Sequence, residues 1–191
     1  MRPTLLEEMM AAGRGVFGLL IGDRKSAGYF DYSARGLVGS FIAFVVITAI
    51  NACLPMVLGI EIQPGGISRG LLMVVILFVL QLGFAAIVLR QLRRMDGLVP
   101  YLVADNWATF FVTLVAVALS AAGVGGQAVI VVLGLVVIVI EINISRLIVT
   151  LSPLQIAMFI VAQLVGISIG LAMIGFIFPM EPGALAQLTT P

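Results

Sequence analysis

The sequence predicts an all-α protein: a polytopic transmembrane helix bundle with about five spans, preceded by an N-terminal amphipathic interfacial helix. Three observations carry this. Of 191 residues, 62% are hydrophobic and 10% charged, against about 45–50% and about 25% in soluble domains. The apolar residues fall into five runs of about 20, the length a helix needs to cross a bilayer. The turns between them are short and carry turn signals, such as Pro64, Gly65 and Gly66 after the first run and the glycines of AAGVGGQ after the third.

Residues 1–35 form a cytoplasmic or interfacial amphipathic segment in this reading. Thr4 and Glu7 stand in capping-box spacing, so a helix is expected over residues 4–21. At about 100° per residue, Leu5, Met9, Val16, Phe17 and Leu20 share one side, with Glu7, Arg14 and Gly18 opposite. Its three glycines weaken it as a free helix, so order is expected to come from lipid or from the bundle. Glu7, Glu8 and Arg14 interrupt any signal-peptide core, which leaves the first span as the expected insertion signal. Tyr29, Phe30 and Tyr32 among charges have the composition of a headgroup crossing.

The transmembrane domain is expected over residues 36–178, with spans at about 36–58, 68–89, 100–122, 127–148 and 154–178. Pro55 and the loop EIQPGG end the first. The basic run Arg90, Arg93, Arg94 closes the second. Spans three and four are joined by AAGVGGQ, too short for anything but a tight hairpin, so they must be antiparallel neighbours. The fourth loses its apolar character at EINISR, LSP precedes the fifth, and Pro179 and Pro182 close it. Residues 179–191 are then a short non-cytoplasmic tail.

Lys and Arg in alternate segments number nine against one. By the positive-inside rule the N-terminus is cytoplasmic and the C-terminus on the opposite, periplasmic, side.

Ionisable residues at membrane depth cost about 2.5–3.5 kcal/mol or more, so each needs a partner or a role. Asp105 and Glu141 are the two candidates, on antiparallel neighbours and toward the same end. Asn106, Asn143 and Arg146 belong to that level, making a candidate intramembrane or interfacial polar cluster of Asp105, Asn106, Glu141, Asn143 and Arg146. Two readings compete. In one, Arg146 neutralises one carboxylate and the other is shared, protonated or hydrated. In the other, which is preferred, spans three and four are short and the cluster lies in the interface, with Trp107 as a belt anchor. Asn51, Gln81 and Gln163 are read as interhelical glue. Ala162, Gly166 and Gly170 repeat every four residues, a small-residue face for helix packing against a partner helix of this chain or another subunit.

With no histidine, the commonest metal ligand and general base are missing. The lone Cys53 has no disulfide partner in the chain and is read as a small buried hydrophobe. Paired intramembrane acids, HExxH and GxSxG are not found. Catalytic residues, metal and cofactor sites and a nucleic-acid partner are therefore not expected, nor is enzymatic activity.

The stretch VVLGLVVIVIEINISRLIVTLSPLQIAMFIVAQLVGISIGL resembles the end of Yip1-domain membrane proteins, where an apolar span breaks at a short polar turn before the final helix. FGLLIGDRKSAGYFD is similar to the lead-in of small bacterial members. The resemblance implies a non-enzymatic bacterial inner-membrane protein. The leading function is thus a helix bundle that organises membrane or assembles with a membrane-protein partner or with itself. The alternative is a small transporter or channel subunit using Asp105 and Glu141.

Overall fold

The computed structural model describes residues 4–60 and 65–178. Among them are α1 (Leu5–Ile21), a 3-10 turn at Ser26–Tyr29, α2 (Ala34–Val57), α3 (Gly66–Gln91), α4 (Leu98–Ala121), α5 (Gln127–Asn143), a π-helical turn at Ile144–Ile148, and α6 (Pro153–Ile177). No strand occurs among the described residues. Residues 61–64 of the first loop and the tail 179–191, with Pro179 and Pro182, lie outside them.

Among the described residues, five helical segments are long and apolar enough to cross a membrane: Ala34–Val57, Gly66–Gln91, Met95–Ala121, Gln127–Ile148 and Pro153–Ile177. They overlap the five expected runs. The third starts before Pro100 because a proline in the first helical turn sacrifices no intrahelical hydrogen bond. The outer faces are hydrocarbon, with Ile130 71%, Leu154 74% and Phe176 89% exposed. From Gln127 to Val139, α5 buries no residue. A helix apolar on all sides and uncovered on most of them requires a lipid solvent. The protein is membrane-embedded.

The most extensive helix pairings are α3 with α6 and α2 with α4. The first depends on glycine. A Cβ on Gly166 would lie 2.9 Å from Phe84 Cδ2, and one on Gly170 2.7 Å from Leu77 Cδ2. With the half-buried Ala162, the small-residue face thus packs within the chain. At the end where α3 finishes and α4 begins, the core closes around Trp107, Tyr101 and Phe159, with Tyr101 and Phe159 edge to face at 5.1 Å.

Helix α1 starts on the expected capping box, in which the Thr4 amide donates to Glu7 Oε2 at 2.7 Å. It packs on the 3-10 turn, α4 and α5. The buried face, however, is Glu8, Ala12, Gly15, Val16, Gly18 and Leu19, whereas Leu5 and Phe17 point outward. The expected apolar side thus divides, with Val16 against the bundle and Leu5 and Phe17 left outward. Gly15 and Gly18 admit the Phe30 ring and Ser26, whose atoms would stand 2.6 Å from an added Cβ.

Three further expectations are corrected. Trp107 is 2% exposed, packed edge to face on Phe110 and parallel to Phe111, so it is a core residue and not a belt anchor. Cys53 is exposed, as is Asn51. Both lie toward the far end of α2, beyond its packed stretch of Gly36, Gly39, Ser40, Ala43 and Ile47.

After the π turn the chain reverses through Thr150, a non-glycine residue at φ 59°. Arg94 fastens this reversal. Its guanidinium donates to the carbonyls of Val149 and Thr150 and to Thr150 Oγ1, satisfying carbonyls left open where the helix ends. Hydrogen bonds from a charged donor contribute about 1.5–3 kcal/mol. Arg94→Ala is accordingly expected to lower the melting temperature by about 3–10 °C, measured by differential scanning fluorimetry in detergent.

Glu8 introduces a pH dependence. Burial, and secondarily the Asp31 carboxylate, push its carboxyl above the ordinary 4.5, with Arg35 opposing. A carboxyl whose folded pKa is raised favours the docked state below about 4.5 and loses that contribution as pH rises through the raised value. In pure detergent, α1 docking is expected to weaken over that window, and Glu8→Gln to flatten the dependence. Hydrogen exchange of residues 5–21 against pH measures both.

Candidate functional site

A cavity of about 330 Å³ lies between α2, α3, α4, α5 and α6. Six polar side chains, Thr109 among them, are concentrated at or beside it, and topology explains why. Helices α4 and α6 begin, and α3 and α5 end, on one side of the bundle. Asp105 is two turns into α4, Glu141 is in the last turn of α5, Gln163 is three turns into α6, and Gln81 lies three turns before the end of α3. All four line the cavity.

The amides organise the site. Gln163, 4% exposed, donates through Nε2 to Glu141 Oε1 at 2.8 Å. Its own Oε1 accepts from Tyr101 Oη at 2.9 Å and from Gln81 Nε2 at 2.9 Å. Both ends of Gln163 are thus used, so its orientation is set and Glu141 is held. The opposite wall is aromatic and aliphatic: the Phe44 and Phe78 rings, 4.9 Å apart at their centroids, face into the same space.

Among the described residues, Asp105 has no comparable network. It lines this cavity and a smaller neighbouring one with Glu141. Two carboxylates in one largely apolar cavity call for a positive charge, either a proton or a cation. The aromatic faces nearby add attraction for an organic cation.

The expected cluster divides. Asp105 and Glu141 come together, but Asn106 turns to α2, where Nδ2 donates to Ser40 Oγ at 3.2 Å. Asn143 turns to α1 and donates to the Leu19 carbonyl at 2.8 Å. Arg146 is exposed and does not line the cavity. Its guanidinium therefore does not neutralise the carboxylates as one reading required. Gln81 and Gln163 do join two helices, as expected of glue, and additionally form the site. Tyr101 was missed. Its position one turn before Asp105 on the same helix was the available signal.

No family model, no curated protein and no solved structure matches the chain, so the chemistry of the cavity must carry the functional reading.

Proposed function

We propose that the protein is a non-enzymatic carrier or channel subunit that binds a small organic cation, in competition with protons, between Asp105 and Glu141. The supporting observation is the pair of carboxylates in one aromatic-walled cavity, one positioned by a set amide and the other without a described partner. A cavity of this kind, apolar with a few convergent polar groups, is typical of small-molecule sites. The groups present suit binding and exchange of charge rather than bond breaking.

Two of the features that favoured the assembly reading serve packing within the chain. The small-residue face of α6 is occupied by α3, and α1 packs on its own bundle. We further propose that the end bearing Arg35, Arg90, Arg93, Arg94 and Arg146 is cytoplasmic, by the charge bias alone, and that the membrane is a bacterial inner membrane. A Yip1-like ancestry would be compatible with the architecture and is likewise a proposal.

The test is equilibrium binding of benzyltrimethylammonium to purified protein, against its uncharged carbon isostere neopentylbenzene. Selective binding of the cation, weakening as pH is lowered, is the expected result. Equal binding of both, or of neither, would overturn the reading.

A further inference from the structure

A second site lies away from the cavity, where α1 meets the start of α2. Here a groove of about 500 Å³ is lined by Leu5, Glu8, Arg35, Val38, Gly39 and Ile42. Its chemistry is graded along α2. Arg35 is in the first helical turn and Glu8 sits beside Gly39, whereas Val38 and Ile42, 58% and 48% exposed, lead toward the membrane interior. Arg35 and Ile42 are separated by about 10 Å along the axis. That is the sequence of environments a phospholipid presents, from headgroup to acyl chain.

The acidic member of this groove is unusual. Glu8 is 8% exposed, yet its Oε1 has no hydrogen-bond partner among the described residues. A buried acceptor left open is costly. The backbone is shaped to admit it: a Cβ on residue 39 would lie 2.7 Å from that same oxygen. Among the described residues, the charged groups facing Glu8 are Asp31, ahead of α2, and Arg35, within it. An anionic lipid would meet two carboxylates here. A lipid bearing an ammonium and a phosphate would give Glu8 a donor and Arg35 an additional anion.

We propose that the groove between α1 and α2 binds an aminophospholipid of the phosphatidylethanolamine type, its ammonium donating to the Glu8 carboxylate, its phosphate beside Arg35, and an acyl chain along Val38 and Ile42. The N–H donors distinguish this headgroup from phosphatidylcholine, whose methylated nitrogen has none. The ammonium distinguishes it from phosphatidylglycerol. Lipid binding also removes the reason for α1 to loosen at higher pH, because a fixed cation replaces the proton on Glu8.

Native mass spectrometry of the full chain, released from detergent with equimolar phosphatidylethanolamine, phosphatidylcholine and phosphatidylglycerol, tests this. The wild type is expected to retain one phosphatidylethanolamine in about tenfold preference, the scale of a charge-assisted hydrogen bond. The preference is expected to vanish in Glu8→Gln. A wild type that retains the three lipids equally, prefers phosphatidylglycerol or holds none overturns the proposal, with no reliance on a variant. Unchanged selectivity in Glu8→Gln overturns it as well. Hydrogen exchange of α1 supplies a second readout on the wild type: phosphatidylethanolamine should abolish the loss of protection as pH rises, and phosphatidylcholine should not.

Discussion

Asp105→Asn is expected to weaken binding of benzyltrimethylammonium by about 30-fold or more, the consequence of removing one partner from a buried charge interaction valued at about 2–5 kcal/mol. Asparagine nearly preserves shape and volume, so the bundle should remain intact. Glu141→Gln is expected to act differently. Gln163 donates to Glu141 Oε1 at 2.8 Å, and a glutamine there can keep an acceptor in that position. The network through Tyr101 and Gln81 is then retained while the charge is lost. Affinity should fall with little change in melting temperature. Gln163→Ala should do both, since it releases Tyr101, Gln81 and Glu141 together. Isothermal titration calorimetry with parallel thermal melts separates these outcomes. Loss of melting temperature with unchanged affinity in Asp105→Asn would assign the carboxylate to packing and remove the basis of the proposed function.

The sequence made the pairing of Asp105 and Glu141 legible because it depends on two local quantities. The short glycine-rich link forces α4 and α5 to be antiparallel, and residue counts place both carboxylates toward the same end. Sorting Asn106 and Asn143 needed only rotation. A step of one residue turns a side chain by about 100° and a step of two by about 200°, so neither can face where its neighbouring carboxylate faces. Grouping by depth alone obscured this.

Gln81 and Gln163 are a different matter. They stand 82 residues apart, and their contact depends on α6 packing against α3, which nothing in the connectivity dictates. Spacing showed that α6 carries a small-residue face, but not which helix fills it. For α1 the apolar side alone left open whether lipid or the bundle would cover it, because a stripe faces inward of necessity only when water is the alternative. Beside lipid, the small residues turn inward and the large ones outward. Trp107 and Cys53 run against that trend, Trp107 because it packs on Phe110 and Phe111 and Cys53 because it lies beyond the packed stretch of α2.

Gly166→Leu is expected to lower stability by forcing α3 and α6 apart. The first added atom already meets the Phe84 ring at 2.9 Å and the Leu80 carbonyl at 3.2 Å. The ring can rotate, but the carbonyl belongs to the α3 backbone, so the two helices must separate. Overpacking of this kind costs about 1–3 kcal/mol, or about 3–10 °C in melting temperature for a chain of this size. Gly175, further along the same helix, has nothing within 4 Å of an added Cβ, and Gly175→Leu is expected to melt like the wild type. The comparison bears on assembly as well as stability. If the face bound another subunit, Gly166→Leu would change particle mass by size-exclusion with light scattering and leave the monomer's melting unaltered. Packing within the chain instead predicts an unchanged mass and a lower melting temperature. It also predicts weaker cation binding, because the α3–α6 pairing is what brings Gln81 to Gln163 and holds Glu141 at the cavity wall.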